Sequence, residues 1–135
     1  DFLNSINWFE QYLFLQEIQE DYVLQPIPLH RQRFLERGFN QALFLTERFN
    51  WYLRRPVVDC LKRKVNTEPQ AGIKNEKDRR RNLRSAFSLA NRTRLATAVV
   101  LIDDVLTTGA TLAAAAAVLK AHGVKKVYVL TLARG

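Results

Sequence analysis

The stretch Val99-Val100-Leu101-Ile102-Asp103-Asp104-Val105-Leu106-Thr107-Thr108-Gly109-Ala110-Thr111 decides how this chain folds. The uninterrupted apolar run over 98–102 fits a strand covered on both faces, as strands of parallel sheets are. Two adjacent carboxylates follow at its carboxyl end, and then a turn of small residues. That turn opens an Ala-rich helix over 110–121, which Gly123 terminates. A second apolar, β-branched run occupies 127–132. Strand, helix and strand in direct succession predict a βαβ unit, with parallel strands and a right-handed crossover. The class is α/β.

Working upstream, 22–28 reads as a strand closed by Pro26 and Pro28. Residues 40–54 read as a helix with Asn40 as N-cap and Leu43, Phe44, Phe49 and Leu53 on its apolar face, stopped by Pro56. Residues 57–61 and 85–89 are expected strands, and 75–84 a short helix. The first twenty residues recur in apolar character at helical steps (Phe2, Leu3, Ile6, Phe9, Leu13, Ile18), which predicts a covering helix over 1–20. The expectation is one domain over 1–135, with a core at 22–135 and a mainly parallel sheet of about four or five strands flanked by helices.

The 135 residues suit a single domain, and 47% hydrophobic against 25% charged residues excludes a disordered chain. One cysteine excludes an internal disulfide and any multi-cysteine zinc site within this chain; Cys60 reads as a small buried hydrophobe. No run approaches the ~18 apolar residues of a membrane span and no signal peptide opens the chain, so no membrane insertion and a cytoplasmic location are expected. The absence of Met predicts a processed chain or an excised fragment.

The net charge of +8 is unevenly placed. Residues 1–25 hold five acids and no Lys or Arg, whereas 54–94 hold thirteen Lys and Arg against four acids. An anionic partner follows. Single-stranded nucleic acid is one option through phosphate contacts, but of the fourteen aromatics twelve lie in 1–52 and only Phe87 in 54–94. Base stacking on the basic segment is therefore not expected.

Chemically, the turn after the acids offers backbone N–H groups, hydroxyls and the positive end of a helix dipole, which is a phosphate cradle. The carboxylates instead select hydroxyl donors or the water shell of a hydrated Mg²⁺. A sugar phosphate satisfies both, at the strand end where open α/β sheets bind ligands. Receiver domains also carry acidic pairs, but on their first strand; here Asp104 lies 31 residues from the C-terminus.

The 99–111 stretch resembles the phosphoribosyl-pyrophosphate (PRPP) signature of type I phosphoribosyltransferases. The resemblance implies that Asp103 and Asp104 hold ribose hydroxyls and that Thr107, Thr108, Gly109, Ala110 and Thr111 hold the 5′-phosphate. Further strings follow the same order as in the ComF family (ComFC or GntX-like) of phosphoribosyltransferase-like proteins. They are Pro26-Ile27-Pro28-Leu29-His30, Arg37-Gly38-Phe39-Asn40-Gln41, Thr67-Glu68-Pro69-Gln70-Ala71-Gly72, Arg79 to Asn82, and Ala86-Phe87. This resemblance covers 22–135 and implies pyrophosphate contacts at Arg37 and Gly38. It also places the basic stretch 62–84 at the loop that closes over PRPP, with Arg79 as the loop arginine and Arg80 and Arg81 as alternatives. It further implies Mg²⁺, a role in DNA uptake and natural competence, single-stranded DNA and competence proteins as partners, and a homodimer as one assembly. The activity implied is phosphoribosyl transfer to an unidentified acceptor; the alternative is a non-catalytic nucleic-acid-binding accessory. The four-cysteine zinc module that usually precedes this domain in the family has no counterpart in this chain.

Overall fold

The computed structural model describes residues 13–29, 31–64, 77, 86–90, 95–106 and 108–134. The elements run β1 (Tyr22–Pro26), α1 (Arg31–Arg37), α2 (Gln41–Leu53), β2 (Leu61–Arg63), β3 (Phe87–Leu89), β4 (Ala98–Leu106), α3 (Ala110–Ala121) and β5 (Lys126–Arg134). Three of the strands form a parallel sheet in the order β1-β4-β5, and β2 pairs with β3 in a separate antiparallel ribbon.

The central strand β4 explains the layering. Residues 98–102 are entirely buried, and alternation sends Val99 and Leu101 to one face and Ala98, Val100 and Ile102 to the other. The first face packs on Leu112, Ala115 and Leu119 of α3 and on Leu61 and Phe87 of the β2–β3 ribbon. The second packs on Leu45, Phe49 and Leu53 of α2 together with Leu15, Ile18 and Leu24. At about 25 cal/mol per Å² of apolar surface, these two layers supply the main stabilisation of the sheet. Alanines over 113–117 keep α3 slim, so it lies close to β3 and β5.

Several expectations are refined. The parallel sheet has three strands among the described residues, rather than four or five; a fourth position beside β1 is reduced to an isolated bridge between Leu24 and Val57. There the Leu24 N–H donates to the Pro56 carbonyl at 2.9 Å, and the Val58 N–H to the Leu24 carbonyl at 2.8 Å. The strand expected over 57–61 is thus that bridge followed by β2, with exposed Asp59 between them. In α2 the buried stripe is Ala42, Leu45, Thr46, Phe49 and Leu53, whereas Leu43 and Phe44 point outward. Thr46 tolerates this burial because its hydroxyl donates to the Ala42 carbonyl at 2.7 Å. The described part of the N-terminal helix covers 13–16, and Leu15 and Ile18 do bury against the α2 side of the sheet. The expected helix over 75–84 falls outside the described residues except for helical Lys77.

Candidate functional site

The sheet opens where the acids lie. β1 accompanies β4 only as far as Pro26 opposite Ile102, whereas β5 continues past Asp103, opposite Thr131, to Leu106. Beyond Ile102, β4 therefore has a partner on the β5 side only. From this point β1 leads toward α2 on one face, and β4 leads into α3 on the other. A crevice between loops that depart to opposite faces is where open α/β sheets take their ligands.

Asp103 and Asp104 sit at this step, both partly buried. The Asp104 backbone N–H donates to Asp103 Oδ1 at 2.9 Å. Burial first, and then the neighbouring Asp104 carboxyl, push the Asp103 carboxyl up to about 6, against the pull of the Arg63 charge. Two acids crowded together in this way gain from any ligand that donates hydroxyl protons to them. Arg63 was legible in the sequence only as one member of a basic run. Its placement depends on the pairing of β2 with β3, two strands of three residues each that are separated by a long segment.

The turn after β4 reverses the polarity of the site. Gly109 is the N-cap of α3 with φ 78°, a left-handed conformation that favours glycine. The Ala113 N–H closes the first helical bond onto the Gly109 carbonyl at 2.9 Å, so the preceding amides lie outside the helix's own ladder. One of them, Ala110 N–H, donates to the exposed Thr108 hydroxyl at 3.3 Å. Thr108, Gly109, Ala110 and Thr111 thus gather at one helix start, next to the acids in the chain. Thr107 lies outside the described residues.

The Arg37–Gln41 string builds the loop that leaves β1. The Gly38 N–H ends α1 by donating to the Phe34 carbonyl at 2.8 Å, and Gly38 turns the chain with φ 80°. Asn40 then caps α2, its Oδ1 accepting from the Ala42 and Leu43 amides at 3.0 and 3.4 Å. Its Nδ2 donates to the Ile27 carbonyl at 3.2 Å, which ties the helix start to the end of β1. Arg37 is exposed, and its Nη1 donates to Gln41 Oε1 at 3.2 Å. His30 and the loop arginines Arg79, Arg80 and Arg81 lie outside the described residues.

Elsewhere, Cys60 is buried, and burial pushes its thiol up, away from reactivity. His122 shares a hydrogen bond of 2.8 Å with the Val118 carbonyl at the end of α3. Among the described residues, no three His, Cys, Asp or Glu gather into a metal-binding group, and no helix is long and apolar enough to cross a membrane.

Comparison with known proteins agrees with this architecture. The family model for the phosphoribosyl transferase domain matches residues 45–135. Competence protein F of Haemophilus influenzae is 40% identical over 112 residues, covering 81% of this chain and 48% of that protein. Competence protein ComFC of Bacillus subtilis is 38% identical over 102 residues, covering 76% of this chain and 40% of that protein. DNA utilization protein YhgH of Escherichia coli O6:H1 is 34% identical over 109 residues, or 80% and 47% of the two chains. The chain thus spans about half the length, or less, of these relatives. No solved structure matches it significantly. The family-model match over two thirds of the chain and the identities to the competence proteins agree with the βαβ unit and its strand-end acids, and the chain belongs to the phosphoribosyl transferase domain family as a ComF-type member.

Proposed function

We propose that this domain binds PRPP together with Mg²⁺ at the carboxyl end of β4. The observation that carries this reading is the meeting of opposite chemistries on one strand-to-helix turn, a crowded carboxylate pair followed by the left-handed Gly109 and the amides of α3. Asp103 and Asp104 would accept the ribose hydroxyls, and the 107–111 turn would hold the 5′-phosphate through its amides and hydroxyls. Mg²⁺, which would arrive with the diphosphate, supplies countercharge to the pyrophosphate. Arg37, Gly38 and the loop arginine Arg79 would hold the same group from the protein side. Transfer, where an acceptor is present, breaks the bond from C1 to the diphosphate oxygen, and pyrophosphate leaves with the electron pair. The acceptor's lone pair forms the new bond to C1 and its proton is released.

Calorimetry with PRPP and Mg²⁺ tests this on the intact protein and on Asp104→Ala. Heat from the intact protein that disappears in the variant supports the reading, and no heat from the intact protein sinks it. Pyrophosphate release in the presence of nucleobases or amines reports transfer, and binding without release supports the accessory role.

A nucleic-acid contact is favoured by a separate observation. The outward face of α2 presents Phe44, Trp51 and Tyr52, at 46%, 80% and 72% exposure, with Arg48 among them and Arg54 just beyond. Aromatic faces flanked by arginines suit the stacking of single-stranded bases, each worth about 1–3 kcal/mol. The stacking surface expected to be missing from 54–94 is thus available on the preceding helix. In this reading Trp51→Ala lowers single-stranded DNA affinity about tenfold and leaves the PRPP heat unchanged. Equal DNA affinity in the variant removes α2 as the contact.

A further inference from the structure

We propose that the outer edge of β5 pairs with β5 of a second copy of this chain, antiparallel and centred on Val129, so that two three-stranded sheets join into one. β5 stands last in the order β1-β4-β5, and among the described residues its strand partner is β4 alone. The ladder decides which of its backbone groups are left over. The Lys126 N–H donates to the Thr97 carbonyl at 3.1 Å, so Lys126 turns its backbone toward β4. Alternate residues follow suit, and Tyr128, Leu130 and Leu132 serve the same ladder. Val127, Val129 and Thr131 therefore turn their N–H and C=O groups outward, away from the sheet.

The side chains along this edge are those of a strand interior. From Val127 to Ala133 there is no charged residue and no proline, the devices that keep an exposed edge from pairing. Charges stand only at the two ends, Lys126 and Arg134, and Lys126 is ion-paired with Glu20. The apolar layer also stops short here. Leu101 is fully buried, whereas its register partner Val129 is 42% exposed. A strand laid along β5 continues that layer over Val129.

The end charges select the occupant and the register. A second β5 brings an uncharged stretch of the same length, and a twofold axis normal to the sheet keeps the α3 faces of both copies on one side. Val129 then faces its own copy, and Val127 faces the partner's Thr131. These are the residues whose backbone groups point outward, so each pair exchanges both hydrogen bonds. Lys126 meets the partner's Leu132, and Arg134 falls beyond the paired stretch. Centring the pair on Leu130 instead would set Lys126 against the partner's Arg134, two like charges directly opposite. The inference is independent of the PRPP reading.

Sedimentation across a concentration series tests this. The apparent mass is expected to climb from 15.6 kDa toward twice that value as concentration rises. Val129→Lys and Val129→Glu change an exposed side chain and leave the β4 ladder intact. Each is expected to stay monomeric, because like charges then meet on the twofold axis. Mixed in equal amounts, the two are expected to pair again, a rescue that a merely destabilised fold would not show. By hydrogen exchange, the Val127, Val129 and Thr131 amides are expected to gain about tenfold protection on pairing, while those of Tyr128 and Leu130 are unchanged. A parent that remains monomeric at every concentration overturns the proposal, as does a dimer that Val129→Lys does not disturb. Outward amides already protected in the dilute monomer overturn it as well, since the edge is then covered within one chain.

Discussion

Asn40 bonds the Ile27 carbonyl across thirteen residues, its Nδ2 donating at 3.2 Å while its Oδ1 caps α2. One side chain thereby fixes both ends of the loop that leaves β1. Replacing it removes an N-cap and a crosslink together. Asn40→Ala is expected to cost about 1–2 kcal/mol in urea denaturation, and Asn40→Ser, which keeps the capping acceptor, about half of that. A loss of equal size in both variants would assign the whole effect to the Ile27 bond.

The crowded acids predict a stability that depends on pH in an unusual sense. Asp103 is pushed up to about 6 in the folded state, above its unfolded value of about 4. Between those values the folded chain holds a proton that the unfolded chain has released, so stability falls as pH rises through this window and stays lower above it. Asp103→Asn removes that dependence. It is expected to be more stable than the parent by on the order of 1 kcal/mol above pH 7, after discounting for the carboxyl's partial exposure, and equal to it below pH 4. Denaturation midpoints between pH 4 and 8 check this, and a gap that does not change with pH contradicts it. The same variant is expected to lose PRPP binding, because stability and function compete at this residue.

How much of this could be seen in the sequence follows from which contacts are local. β4, α3 and β5 were legible because an uninterrupted apolar run, a helix of alanines and a β-branched run succeed one another without a break. The Asn40 cap was legible as well, since its Oδ1 acts on amides two and three residues along. The ribbon was not: β2 and β3 are three residues each, and their partnership spans the whole basic segment. Phase was also misread in α2, where hydropathy gives Phe44 to the core. In the fold, Ala42 and Thr46 occupy the inner stripe, and Thr46 satisfies its hydroxyl on the helix itself. Small residues beside Leu45, Phe49 and Leu53 let α2 approach the sheet, and Phe44, Trp51 and Tyr52 are left outside. Arg63 lies on that ribbon, so the pull of its charge on Asp103 could not be derived before the ribbon was known.

A buried amide predicts the behaviour of the lone thiol. Gln25 is fully buried in β1, and its Oε1 accepts from the Cys60 N–H at 2.9 Å and from the Cys60 thiol at 3.1 Å. Its Nε2 donates to the Pro26 carbonyl at 2.6 Å, so the amide is satisfied on both ends. Gln25→Leu would leave the Cys60 amide without its acceptor, at a cost of about 2 kcal/mol. Cys60 in the parent is expected to resist a thiol-reactive dye until denaturant is added, and in Gln25→Leu to react measurably faster under native conditions. Rapid labelling of the parent would contradict the burial.

Gly109 separates backbone strain from lack of space. A Cβ at this position would meet Leu106 Cδ1 at 3.6 Å, an ordinary van der Waals contact, so a methyl group fits. The obstacle is φ 78°, which an L-residue with a side chain occupies at a cost of roughly 1–2 kcal/mol. Gly109→Ala is therefore expected to lose about 1 kcal/mol, and Gly109→Asn less, because Asn tolerates left-handed backbone better. Should the proposed phosphate contacts be made by amides in this conformation, PRPP affinity falls in the same order, by relaxation of the turn rather than by blockage. A collapse of both stability and affinity in Gly109→Ala, with no advantage for Asn, would instead mean that the turn has no room for a side chain.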